Sequence, residues 1–300
     1  MRKTGRRIIV GIAGALLLSA LAVAPSAQSN EARSPWKYYP EDARANKGDG
    51  GPAPKRDLTG TWAGESSGAG VERLVPPESP PPLTPLGKQL FDRNKAEGAN
   101  VVVAESNDPH VKYCDPFGFP RNMNDQIRSM TITTLPNRTF VLLKFMNIWR
   151  EVWTDGRTLP TNFARGRDAH DPTYNGYSVG RWEDDYTFVV ETTGIAAETW
   201  ATEGGYPHSV DARVTERFQR KTKNDLTLTL TMDDPKLYTA PFFLGEQHFR
   251  WIPSQVLDEF TCIPSQVQEY LKELGDPAGS DPNEANPQGR GNPQGRGGRN

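Results

Sequence analysis

The chain has 300 residues, with 35 Lys plus Arg against 37 Asp plus Glu, and is 35% hydrophobic and 9% aromatic. That is enough apolar material for a core, and it excludes collagen, a fully disordered chain and a multispan membrane protein. Two cysteines and four scattered histidines exclude a disulfide-dense miniprotein, a four-cysteine zinc site and a thiolate-held iron–sulfur cluster.

At the N-terminus Arg2, Lys3, Arg6 and Arg7 precede an apolar run at 8–23. This is the pattern of a secretory signal peptide, residues 1–27, with small side chains at Ala24, Ser26 and Ala27 for cleavage. The competing reading, a retained membrane anchor, asks a short run to cross a hydrocarbon core of ~30 Å. A secreted or periplasmic protein without stable membrane insertion is expected. Loss of the leader removes four basic and no acidic residues, leaving 31 against 37 and a net charge of −6. Such a chain lacks the basic field of a nucleic-acid binder. In an oxidising compartment Cys114 and Cys262 form a disulfide closing a loop of about 149 residues, the alternative being two free thiols.

Residues 28–57 are polar and rich in Pro, Gly and charge, and read as a flexible arm. Residues 276–300 carry Asn-Pro-Gln-Gly-Arg-Gly twice and no large apolar side chain, and read as a disordered tail. Between them 58–275 forms one domain. Thr84 followed by Pro85 opens a helix whose Leu86, Leu90 and Phe91 share a face, ending at Gly98. Strands are expected at 127–134 and 139–146 around a turn, then at 148–154 with Ile148, Arg150 and Val152 on one face. Others follow at 177–183, 186–192, 212–220, 226–232, 247–252 and 257–262. Leu226, Leu228 and Leu230 alternate with threonines, as in a sheet with one buried face. A second helix opens at Pro264. Successive hairpins need closure to remove their edges, so the fold class is mainly β: an antiparallel up-and-down barrel with one N-terminal and one C-terminal helix.

The Gly60-Thr61-Trp62 opening resembles that of lipocalin-type barrels (calycins), which implies a Trp plugging one barrel end and a lipocalin-like layout. A wider set is similar to a family of uncharacterised secreted bacterial proteins: Asn107-Asp108-Pro109 with Cys114, Pro116, Gly118, Pro120 and Arg121, then Thr154-Asp155-Gly156-Arg157, Ser178-Val179-Gly180-Arg181-Trp182-Glu183, Thr215-Glu216-Arg217-Phe218 and the run 233–239. The family often has His where this chain has Tyr177. The resemblance implies a secreted, mostly β protein and no established activity.

No Walker A loop, dinucleotide fingerprint, HExxH or GxSxG elbow is present, and no cofactor and no metal site is expected. Polar groups gather instead in loops expected at one barrel rim. His208 is the candidate for proton transfer, with Asp155 or Glu216 fixing its tautomer. Asp155 in Asp-Gly also has a plain explanation as a turn residue. Glu216 points into the barrel if Val214 and Phe218 do; the other register puts Arg213, Thr215 and Arg217 inside. Arg121 and Arg157 are candidate anion holders or structural ion pairs, and Tyr174, Tyr177, Trp182 and Tyr206 candidate ligand contacts. The expected function is binding of a small apolar or aromatic organic molecule in the mouth or lumen of the barrel. The alternatives are a cofactor-independent isomerase, hydratase or hydrolase and a cell-envelope scaffold. Oligomeric state is not legible.

Overall fold

The computed structural model describes residues 48–64, 73–94, 107–124, 128–163, 169–253, 255–257 and 259–270. The signal peptide, the arm up to residue 47 and the tail lie outside them.

Ten strands form one sheet: β1 (Gly60–Ala63), β2 (Arg73–Val75), β3 (Ser129–Leu135), β4 (Arg138–Leu143), β5 (Ile148–Trp153), β6 (Tyr177–Trp182), β7 (Thr187–Thr193), β8 (Arg213–Arg220), β9 (Asp225–Asp233) and β10 (Phe242–Trp251). Pairing of β1 with both β3 and β10 closes nine of them into a barrel, while β2 adds to the same edge of β10 as β1, further along. Closure satisfies the edge groups that an open sheet would leave unpaired. The strands do not form a simple up-and-down meander: β5 and β6 are parallel, Val152 facing Ser178. A parallel pair needs a crossover, which the 154–176 connection supplies.

Alternation decides what lies inside. On β8, Val214, Glu216 and Phe218 are buried while Arg213 and Arg217 are exposed, so the register with the carboxylate inward is the one adopted. On β5, Arg150 and Val152 turn inward in the same way. Arg150 and Glu216 meet in the interior, Nη1 donating to Oε1 at 2.8 Å and Nη2 to Oε2 at 2.7 Å. Both side chains are essentially without solvent contact, at 1% and 0% exposure. The hydroxyls of Ser178 and Thr192 bond to each other beside them at 2.7 Å. Around this polar centre pack Met130, Ile132, Val141, Val190, Leu228 and Phe249.

One barrel end is stoppered by 117–124. Phe119 lays its ring 3.9 Å from the Arg150 guanidinium, and the short helix α3 (Arg121–Asn124) is buried throughout, Gln247 donating to the Asn124 carbonyl at 2.8 Å. Where the sequence places a ligand in the mouth or lumen, the described residues set the Arg150–Glu216 pair and the apolar cluster around it in the barrel interior. Trp62 is fully buried, its indole N–H donating to the Leu58 carbonyl at 2.9 Å.

The helix expected after Thr84 is α1 (Pro85–Asn94), and the Thr84 hydroxyl accepts from Gly87 N–H at 3.1 Å as its cap. Gly98 lies outside the described residues. Helix α2 (Pro109–Tyr113) and α4 (Pro264–Tyr270) are joined by a Cys114–Cys262 disulfide, as expected of an oxidising compartment. The strand expected at 257–262 does not form. Phe260 N–H donates instead to the Asn147 side chain at 3.3 Å, and the segment is held by rings and the disulfide rather than by a ladder. Residues 48–57 are not loose either. Asn224 N–H donates to the Asp49 carbonyl and Lys223 N–H to that of Gly51, both at 2.9 Å, so the end of the arm is tied to the β8–β9 turn.

Candidate ligand-binding site

The rim cluster expected from the sequence divides among separate places. Asp155, Arg157, Tyr177 and His170 do share one wide, polar, open recess on the crossover. Arg157 grips Asp155, Nη2 to Oδ2 at 2.6 Å, donates to the Tyr177 hydroxyl at 2.8 Å and stacks 3.5 Å from the Trp153 ring centre. The hydrogen bond from Arg157 holds the Asp155 carboxyl down at about 2. Each guanidinium nitrogen of Arg157 thus already donates within the chain.

His208 is brought to neither carboxylate. Asp155 is held by Arg157, and Glu216 has both oxygens on Arg150 inside the barrel. The imidazole is 2% exposed, with Nε2 2.8 Å from the Thr199 hydroxyl and Nδ1 3.3 Å from the Ser209 carbonyl. The Thr199 hydroxyl also donates to the Ala196 carbonyl at 3.0 Å, so its one proton is shared between that carbonyl and the imidazole. The recess beside it, about 440 Å³ between α1 and 197–210, has Leu90, Trp200 and Leu237 among its walls. Its polar atoms face one another: Ser209 is bound by Asp234, and Lys236 pairs with Asp211.

The remaining predicted contacts lie in other parts of the molecule. Arg121 is buried and bidentate on Asp108 at 3.0 and 2.8 Å, with its guanidinium 4.2 Å from the Phe117 ring centre. Tyr206 is buried between Phe91 and Phe242 and donates to Ser79. Trp182 packs on Phe188, and Tyr174 is exposed.

Burial drives the His208 pKa below its ordinary value, and likewise that of His110, which is buried beside Phe117. The unfolded chain therefore takes up protons that the folded one refuses once pH falls below ~6.5. Stability should hold above that pH and decline below it. Urea denaturation at pH 7.5 and 5.5 checks this: His208→Gln is expected to lose less stability between the two than the parent chain, and an equal loss would remove His208 from the account.

A different recess combines walls and an unused polar group. It measures about 450 Å³ and lies between α2, the turn at Phe145–Asn147 and the 260–267 segment. Asp108 caps α2 by accepting from His110 N–H, and Cys114 ends it in the left-handed conformation, φ 59°, which aims its sulfur at Cys262. The disulfide draws the following helix over α2, where Gln268 donates to the Lys112 carbonyl at 2.9 Å. Phe145 stacks on Phe117 and meets Phe260, each at 5.0 Å between ring centres. Val111, Met146, Ile263 and Val267 complete the apolar lining, which contains no Asp or Glu among the described residues.

Arg128, just before β3, supplies the only formal charge among the described residues of that lining, beside a neutral His110. Its guanidinium lies 4.5 Å from the Phe260 ring centre and 5.6 Å from that of Phe145. It forms no ion pair among the described residues, and its buried Nε has no hydrogen-bond partner. His110 Nδ1 donates to the Asp115 carbonyl at 2.8 Å, which fixes the tautomer and leaves Nε2 as an acceptor. In sequence, only the Cys114–Cys262 pairing points here. Arg128, Phe145 and Phe260 fall in three separate expected strands, at 127–134, 139–146 and 257–262, and no motif or spacing joins them. No family model matches the chain, and a search of curated proteins finds no match.

Proposed function

We propose that this is a secreted or periplasmic protein that binds a small apolar or aromatic organic molecule, and that the site is the disulfide-bounded recess outside the barrel. The single observation that carries the reading is the lining itself: Phe145, Phe260, Val111, Ile263 and Val267 line about 450 Å³ with no carboxylate among the described residues. That volume and that balance of many apolar walls to few polar groups suit a small-molecule site. The barrel acts as the rigid frame; the lipocalin-like part of the reading rests on Gly60 and Trp62. Binding is favoured over acid/base catalysis because His208 faces a hydroxyl and a carbonyl rather than a carboxylate.

N-phenyl-1-naphthylamine, a neutral fluorophore, is expected to bind saturably with enhanced emission. Val267→Trp, which fills the recess, should weaken it about tenfold or more without lowering the melting temperature, a loss of ~1.4 kcal/mol. Undiminished binding by that variant puts the site elsewhere, and absence of saturable binding by the parent chain ends the proposal.

A further inference from the structure

We infer that the ligand of this recess is an organic acid, its apolar body between the rings and its carboxylate on Arg128. The inference rests on the binding reading above and adds the chemical class.

A guanidinium is seldom left within an apolar enclosure without an acid. Most other half-buried or buried arginines among the described residues have an acid: Arg121 has Asp108, Arg138 has Glu151, Arg150 has Glu216, Arg157 has Asp155 and Arg250 has Asp225, while Arg220 donates to the Asp57 and Lys223 carbonyls with the Asp57 carboxylate 3.8 Å away. Arg128 has two aromatic faces and no carboxylate. The rings flank its plane, and its buried Nε–H has no acceptor among the described residues. A carboxylate entering along that plane receives two parallel N–H bonds, the geometry guanidinium matches best. The surroundings add to the preference, since no Asp or Glu among the described residues lines the recess to repel an anion. A low-dielectric wall strengthens the attraction relative to water. A neutral molecule of the same shape would gain the apolar contacts only. A cation would meet Arg128 as a like charge.

The test compares 2-naphthoate with 2-naphthalenemethanol, which share a ring system and differ in the charged head, each competing against N-phenyl-1-naphthylamine on the full mature chain. Naphthoate is expected to bind at least about tenfold tighter. Arg128→Met should bring the ratio close to one while leaving the alcohol's affinity unchanged. Equal affinity of acid and alcohol in the parent chain overturns the inference while leaving the binding reading in place, as does a preference that survives in Arg128→Met. Failure of both compounds and of the fluorophore overturns the binding reading itself. If circular dichroism shows Arg128→Met unfolded, Arg128→Gln takes its place with the same two outcomes.

Discussion

Glu216→Gln is expected to destabilise the barrel by about 3–5 kcal/mol, the cost of leaving a buried guanidinium uncompensated. The amide keeps the shape of the side chain, so packing is not the cause. What changes is that Arg150, at 1% exposure beneath the Phe119 ring, loses its counter-charge and one of its two bonds at 2.8 and 2.7 Å, because the amide nitrogen cannot accept. Ser178 and Thr192 cannot substitute, because they lie 3.4 and 3.5 Å from Nη2 and already bond to each other. Arg150→Met combined with Glu216→Leu should recover most of the loss, because the favourable Coulomb energy of a buried pair is largely offset by the desolvation of its members. Urea denaturation of the two single variants and the double variant at pH 7 gives the coupling energy directly. A single-variant cost below about 1 kcal/mol would mean that the barrel interior admits water to the guanidinium, and the isolation of the pair from solvent described above would be wrong.

That pair also shows how far a linear reading of the chain reaches. Glu216 reads as inward because Val214 and Phe218 flank it at period two, and Arg150 shares a face with Val152 on the same ground. Their meeting depends on the register of intervening strands and on the parallel β5–β6 contact, which no local pattern encodes. The alternating Leu and Thr of β9 make its inner face plain. The start of β10 escapes such a reading because the register shifts between Phe243 and Gly245, which breaks the alternation. His208 resembles a rim residue because its neighbours in sequence are polar, and only α1 and the 197–200 turn packed around it make it buried. The recess at Arg128 is harder still. Its walls come from a helix, a tight turn and a segment brought across by the disulfide, so its residues share no spacing to read. A charge just ahead of a strand looks the same whether it faces water or two rings.

Replacing both Cys114 and Cys262 with Ser should lower stability by about 5 kcal/mol and the melting temperature by roughly 10–20 °C. The bond closes a loop with a sequence separation of 148 that holds every strand except β1 and β2. Freeing so long a loop enlarges the unfolded ensemble without touching a single ladder bond. The native interactions that depend on the bond are local and few: the 259–270 segment is joined to the rest by the Phe260–Asn147 and Gln268–Lys112 bonds and by the rings around Phe145. With the covalent tie gone, these must hold α4 over α2 by themselves against its conformational entropy. Two readouts then separate. Thermal melting reports the whole barrel, whereas hydrogen exchange within 259–270 and binding of N-phenyl-1-naphthylamine report the recess at a temperature where the barrel is still folded. The expected order is that exchange rises and binding disappears first. A variant that melts within a few degrees of the parent chain would show that the disulfide does not constrain the unfolded state. One that keeps full binding would show that the apolar lining holds the recess together without it.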